Sequence, residues 1–251
     1  MDSNNTNAEV PAPPPINPVP TQQSISPPTN QASGMPSFSI GVAIKEGWNL
    51  TLKNIGFIIT VIIGSIVLGT AVAIVLIASI AILNIFINTK VIAAPLGIIV
   101  GISLFIIQLV IILGYIKVSL KIIDNQKPEF TDLFREYKKV LLYITASILY
   151  ACAVLAGIIL LVIPGIILAV RLSFYSYLIV DRGVGVIDSL KISWAMTKGQ
   201  ILKLILFQVV ASIIYMLGYL AFGLGLIIAT PMVLIASAYV YRKLASQNPG
   251  I

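Results

Sequence analysis

The order of apolar and polar residues divides the chain before any side chain is considered for its chemistry. Four long stretches contain no Asp, Glu, Lys or Arg: Asn54–Thr89, Val91–Ile116, Val140–Val170 and Leu204–Tyr241. About 20 helical residues cross a hydrocarbon core of about 30 Å, so Ile-, Leu- and Val-rich runs of this length predict transmembrane α-helices. They lack the alternation over segments of about ten residues that a transmembrane barrel requires. Leu204–Tyr241 is long enough for two spans, with a turn at Phe222-Gly223-Leu224-Gly225. Val140–Val170 is broken at Pro164-Gly165, and Ile166–Val180 follows as a further, shorter span. Asn54–Thr89 reads as one long helix from Ile55 to Leu83, then a loop holding Asn84, Asn88 and Lys90. Pro95 opens the next helix, which runs to Ile123. The expected fold is an all-α integral membrane protein, a bundle of six transmembrane helices in three hairpins.

Charge placement tests that count. Six spans put both termini on one side, together with Lys45, Lys53, Lys117, Lys121, Lys127, Arg135, Lys138, Lys139, Arg182, Lys191, Lys198, Lys203, Arg242 and Lys243. The other side receives Lys90, and Arg171 falls inside a span. Basic residues collect on the cytoplasmic side of membrane proteins, so the partition predicts cytoplasmic N and C termini in a bacterial cell membrane.

Composition agrees and narrows the chemistry. Of 251 residues, 58% are hydrophobic and 10% charged, against about 25% charged in a soluble domain. The chain has no histidine, which excludes Ser-His-Asp triads, His-based zinc sites and imidazole acid–base catalysis. Its single cysteine, Cys152, forms no internal disulfide and reads as a small packed side chain of the third span. No cofactor is expected. The net charge of +7 suits nucleic acid in the abstract, but its placement points to anionic membrane lipid instead. Residues 1–37 are Pro-, Asn- and Gln-rich and carry only Asp2 and Glu9. They read as a disordered cytoplasmic tail, whose Pro11–Pro15 run is suited to a polyproline partner site. The expected domains are that tail, a membrane domain over 38–244 and a short flexible tail over 245–251.

The chain also repeats itself. Ala43-Ile44-Lys45-Glu46-Gly47-Trp48-Asn49-Leu50-Thr51 matches Ser189-Leu190-Lys191-Ile192-Ser193-Trp194-Ala195-Met196-Thr197 at one fixed offset. The two Trp of the chain occupy the same place in it. Leu133–Val140 is a weaker third copy with Tyr137 at the Trp position. Each copy precedes a predicted hairpin and is amphipathic, with Ile40, Ile44, Trp48, Leu52 and Ile55 on one stripe of the first. Such helices are expected to lie flat at the cytoplasmic interface, Trp at headgroup depth and Lys toward lipid phosphate. Framing the bundle is the simpler role for them.

Ile163–Phe174, Tyr177–Asp181, Gly185, Leu190–Gly199 and Tyr239–Leu244 together resemble the six-helix bacterial membrane family of the YciC-like proteins and the glycerophosphoryl diester phosphodiesterase membrane domain. The resemblance spans Phe38–Leu244 and implies a six-helix membrane architecture. The phosphodiesterase barrel fused to some members has no counterpart here, so its activity is not implied.

Candidate functional residues are few. Arg171 is an intramembrane charge with no acidic residue in any span, and such a charge costs a few kcal/mol or more unless partnered. It either holds an anion such as a lipid phosphate or caps carbonyls structurally. Lys45, Trp48, Lys191 and Trp194 are candidate lipid contacts, as is the basic cluster of Arg135, Lys138 and Lys139. Glu129, Asp132 and Glu136 interleave with that cluster and read as one solvated helix face. The leading expectation is a non-enzymatic membrane protein that binds or organises anionic lipid, or docks a partner, at the cytoplasmic face. The alternative is a small transporter or channel for an anionic or lipid-like substrate, with Arg171 in its pathway.

Overall fold

The structure is a computed structural model and describes residues 38–87 and 90–247; the tail read over 1–37 lies outside them. Among the described residues every regular element is helical. In order they are α1 (Ile40–Lys53), α2 (Ile55–Ile87), α3 (Lys90–Ile123), α4 (Asp132–Arg135), a 3₁₀ turn at Tyr137–Lys139, α5 (Val140–Leu160), α6 (Val162–Leu172), α7 (Tyr175–Arg182), α8 (Val186–Met196), α9 (Ile201–Leu220) and α10 (Leu226–Ser246). Six segments are long and apolar enough to cross a membrane: Ile55–Ser79, Gly97–Ile123, Asp132–Leu160, Val162–Arg182, Ile201–Leu220 and Leu226–Ser246. Ile and Val are mediocre helix formers in water. In lipid the helix satisfies every backbone polar group within one segment, and that requirement outweighs propensity.

Several boundaries differ from the expected ones. α3 begins five residues before Pro95, which lies inside the helix and leaves the carbonyl four residues earlier without its N–H partner. Pro164 stands in the first turn of α6, where its missing N–H has no intrahelical partner to lose, and the break falls at Leu161, which is extended (φ −163°, ψ 141°). α10 continues through Ser246 into the stretch read as a flexible tail; Leu244 is buried and holds its last turn. α7 stops at Gly183, whose φ of 65° favours glycine. Cys152 is exposed on α5, not packed.

The hydroxyls of the long helices are satisfied locally. Thr60, Thr70, Ser79, Ser103 and Ser212 each donate to the carbonyl four residues earlier, at 2.7–2.9 Å. They therefore mark no polar path by themselves. Small residues permit two close crossings. A Cβ on Gly157 would lie 2.9 Å from Gly165 Cα, and one on Gly225 would lie 2.7 Å from Gly218 Cα. Gly97 and Gly101, four residues apart on α3, face open space.

The interior is built mainly from α3, α7 and α10. Leu113, Ile116 and Leu120 of α3 meet Tyr177, Leu178 and Val180 of α7 and Ala238, Val240 and Tyr241 of α10. Tyr177 and Tyr241 stack at 5.6 Å, and Phe174 adds a third ring 6.5 Å from Tyr241. α9 joins this core through Leu204 and Phe207, whereas α2 and α5 contribute no buried residue to it. α2 and α3 have 33 and 34 residues, against 21, 20 and 21 for α5, α9 and α10. At 1.5 Å per residue the first pair is about 50 Å long and the others about 30 Å.

Candidate functional site

The three copies of the repeat become α1, α4 with the following 3₁₀ turn, and α8. Each packs on a helix of the interior: α1 on α10, α4 on α3, and α8 on α6 and α7. The buried positions recur every four residues and coincide in all three copies: Ala43, Gly47 and Thr51; Asp132, Glu136 and Val140; Ser189, Ser193 and Thr197. The Trp position is exposed each time, 44% for Trp48, 59% for Tyr137 and 38% for Trp194. The face that packs is thus the small-residue face in α1 and α8 and an acidic one in α4. The apolar stripe noted in the first copy keeps Trp48 and Leu52 exposed.

The most informative contact lies at the α6–α8 junction. The Arg171 guanidinium sits 3.4 Å from the centroid of the Trp194 ring, and its Nη2 donates to the Trp194 carbonyl at 3.0 Å. Ser193 and Thr197 fix the approach. Ser193 Oγ donates to the Arg171 carbonyl at 2.8 Å and accepts from the Phe174 N–H at 3.2 Å, and Thr197 Oγ1 donates to Ser193 O at 2.8 Å. The break between α6 and α7 leaves these backbone groups without helical partners, and the α8 hydroxyls take them up. Arg171 thus stands near the end of α6 beside the second repeat, not midway along one continuous helix.

Arg171 makes no ion pair with a described residue, and its Nε is buried without a hydrogen-bond partner. The indole covers one face of the cation, a contact worth about 0.5–2 kcal/mol, yet the charge stays unneutralised. The hollow beside Arg171, about 180 Å³ and containing Ser173, Tyr177, Gln208 and Ser237, takes Val170 instead. Lys191 is exposed on α8; Lys45 is exposed on α1 with Trp48, and that helix is seated on α10.

The second basic cluster is not the solvated face expected. Asp132 and Glu136 are buried because α3 supplies cations to them. Lys121 Nζ reaches both Asp132 oxygens at 2.7–2.8 Å, and Lys117 lies 3.6 Å from Glu136. Lys139 pairs with Glu136 at 2.8 Å and donates to the Val180 carbonyl at 2.8 Å. Arg135 lies 3.5 Å from Asp132, and Lys138 stands over the Tyr137 ring at 5.8 Å. Of the three basic residues singled out, Lys139 is committed to internal partners, whereas Arg135 and Lys138 remain exposed.

A further constellation has no signal in the sequence. Arg242 of α10 forms a two-pronged contact with Asp124 after α3, at 2.6 and 2.9 Å, and a second with Asp181 of α7, at 2.7 and 2.9 Å. Tyr241 donates to Asp181 at 2.8 Å. The fork geometry of one guanidinium thereby ties together the ends of all three interior helices. Asp132, Glu136 and Asp181 lie inside two of the long segments but beyond the spans read from the sequence, which themselves hold no acid. No group of three or more metal-ligating side chains occurs among the described residues.

A family model described as a domain of unknown function, DUF7847, matches residues 139–247, which comprise α5 to α10. Uncharacterized proteins of Mycobacterium bovis and Mycobacterium tuberculosis are each 27% identical to the chain over 232 residues, covering 86% of this chain and 70% of theirs. No solved structure matches. The six long apolar helices mark the chain as a membrane protein.

Proposed function

We propose that this is a non-enzymatic integral membrane protein of a bacterial cell membrane, with cytoplasmic termini, that binds anionic phospholipid at its cytoplasmic face. The carrying observation is Arg171, a half-buried cation with no carboxylate, one face stacked on Trp194 and its Nε unpartnered. A phosphate offers the oxygens that guanidinium geometry matches, and a headgroup is the anion at hand for a cation at a bilayer surface. The exposed Lys45, Lys191, Trp48 and Trp194 support the same depth for α1 and α8, lying along the interface below three transmembrane hairpins. Kinship with the YciC-like and glycerophosphoryl diester phosphodiesterase membrane-domain family belongs to this proposal. It rests on the motifs over Ile163–Gly199, a stretch the DUF7847 match also covers.

The test is lipid retention by purified protein in mixed phosphatidylglycerol and phosphatidylcholine nanodiscs, read by native mass spectrometry. Arg171→Leu should lose most retained phosphatidylglycerol, and Arg171→Lys should keep part of it. A folded Arg171→Leu protein with unchanged retention would overturn the assignment. Orientation is checked by thiol labelling of Lys90→Cys and Lys191→Cys in a Cys152→Ser background, since Cys152 is itself exposed. Labelling of both positions from one side would refute six spans.

A further inference from the structure

A second hollow also borders α10. Between α2, α3 and α10 is a cavity of about 240 Å³ whose wall is almost wholly apolar, with Ile58, Val61, Val118 and Ile227 among its lining. One helical turn further along α10 the character changes. Ile235 lines the apolar cavity, and Tyr239 lines an adjoining hollow of about 490 Å³ with Glu46, Asp124, Arg242 and Lys243. Ile122 and Ile123, neighbours on α3, divide between the two hollows in the same way, and Leu50 of α1 packs on the Ile58–Ile235 cluster while facing the polar one. The apolar slot and the charged shelf thus lie about one helical turn apart along α10, near the end of the bundle where α3 and α10 are tied together.

The charges on that shelf are of two kinds. Asp124 and Arg242 satisfy each other through two hydrogen bonds. Glu46 and Lys243 make no ion pair with each other or with any other described residue. Lys243 stands over the Tyr239 ring at 5.7 Å, and Glu46 lies on the other side of the shelf, on α1. One unpaired anion and one unpaired cation line a single space without meeting. The ligand that complements both carries a positive and a negative group, and the apolar slot one turn away along α10 suits a hydrocarbon chain on the same molecule.

The geometry points to a binding site for a zwitterionic phospholipid with a primary ammonium head: the ammonium on Glu46, the phosphate on Lys243, and an acyl chain in the slot between α2, α3 and α10. A carboxylate accepts N–H hydrogen bonds from a primary ammonium and none from a quaternary one, so ethanolamine heads are favoured over choline heads. A glycerol head brings the same phosphate but no cation for Glu46, so glycerol-headed lipid is disfavoured. The site rests on the membrane placement proposed above and is independent of Arg171, which stands on α6.

Native mass spectrometry of the full chain tests it, using nanodiscs of equal parts dioleoyl phosphatidylethanolamine, phosphatidylcholine and phosphatidylglycerol. The wild type should retain one phosphatidylethanolamine in about tenfold preference, equivalent to about 1.4 kcal/mol. Glu46→Gln with Lys243→Gln should abolish the preference, and Ile227→Trp, at the half-open rim of the slot, should reduce phosphatidylethanolamine retention about tenfold. Arg171→Leu should leave this preference intact while losing phosphatidylglycerol elsewhere. No preference in the wild type, or full preference in the folded double variant or the folded Ile227→Trp variant, would overturn the site. Should Ile227→Trp fail to fold, the double variant decides, because its two side chains lie on the open shelf rather than in the core.

Discussion

The α1–α10 and α4–α3 junctions occupy the same place in the repeat and are built from opposite materials. Gly47 lets α1 approach until a Cβ there would meet the Met232 carbonyl at 2.6 Å and Ala236 Cβ at 3.0 Å. At the equivalent positions α4 carries Asp132 and Glu136, both buried, and α3 answers with Lys121 and Lys117. The first junction depends on dispersion between closely approaching backbones. The second depends on charge pairing in a dry setting, where removing one partner costs more than the pair contributes. One helix arrangement tolerates either solution, so the repeat constrains where a helix sits and leaves open what holds it there.

The sharpest way to separate the two is to remove half of an ion pair. Lys121→Met should destabilise the protein by roughly 3–5 kcal/mol, because Asp132 would stay buried with only the more distant Arg135 near it. Adding Asp132→Leu to that variant should recover most of the loss. Thermal unfolding in detergent, followed by circular dichroism, gives both values. A Lys121→Met protein as stable as wild type would show that Asp132 finds water, and the contrast between the junctions would collapse.

Overpacking probes the other side. Gly47→Val should cost about 1–3 kcal/mol, since the Met232 carbonyl and the α10 backbone cannot yield as a flexible side chain would. Gly41→Ala is the control on the same helix: a Cβ there meets nothing nearer than Ser39 Oγ at 4.0 Å. It should be neutral or mildly stabilising, by roughly 0.5–1 kcal/mol. Equal effects at positions 41 and 47 would show that α1 is held by something other than close approach to α10.

The α8 junction stands between these extremes, with hydroxyls in place of either small residues or charges. Ser193→Ala should cost roughly 1–2 kcal/mol, because it leaves the buried Phe174 N–H and the Arg171 carbonyl each short of a partner. Hydrogen exchange at Phe174 reads the loss directly. Unchanged protection there would mean that the break between α6 and α7 is stabilised without α8.

Which of this the sequence discloses follows from physics. The long helices are legible because exclusion of charge from lipid is absolute over about 20 residues, and it leaves runs such as Asn54–Thr89 bare. Their ends are less so, because proline is tolerated in a first turn, as at Pro164, and even inside a helix, as at Pro95, and so marks no boundary. The repeat is legible through Trp48 and Trp194, but the buried face is not: hydropathy favours the Ile and Trp stripe, and Ala43, Gly47 and Thr51 are too small to register. Asp132 and Glu136 look solvated because Arg135 and Lys139 interleave with them, while the cations that bury them lie on α3. Arg242 joins Asp124 and Asp181 over 118 and 61 residues, a pairing to which no local pattern points.

The smallest expected difference concerns the two tryptophans, which share a position and differ in what touches them. Trp194 carries the Arg171 guanidinium on its face; Trp48 lies on α1, whose partner α10 offers Met232, not arginine, beside Gly47. Trp194→Leu should therefore cost about 1 kcal/mol, and Trp48→Leu should stay within about 0.5 kcal/mol, as surface substitutions do. With only two tryptophans in the chain, each single variant also leaves the other as the sole indole fluorophore. In Trp48→Leu, the emission of Trp194 should respond to Arg171→Leu; in Trp194→Leu, the emission of Trp48 should not. A response from Trp48 would mean that Arg171 acts on the whole basic end of the bundle. Silence from Trp194 would mean that the stack, and with it the orientation of the one arginine assigned to phosphate, does not persist in the membrane.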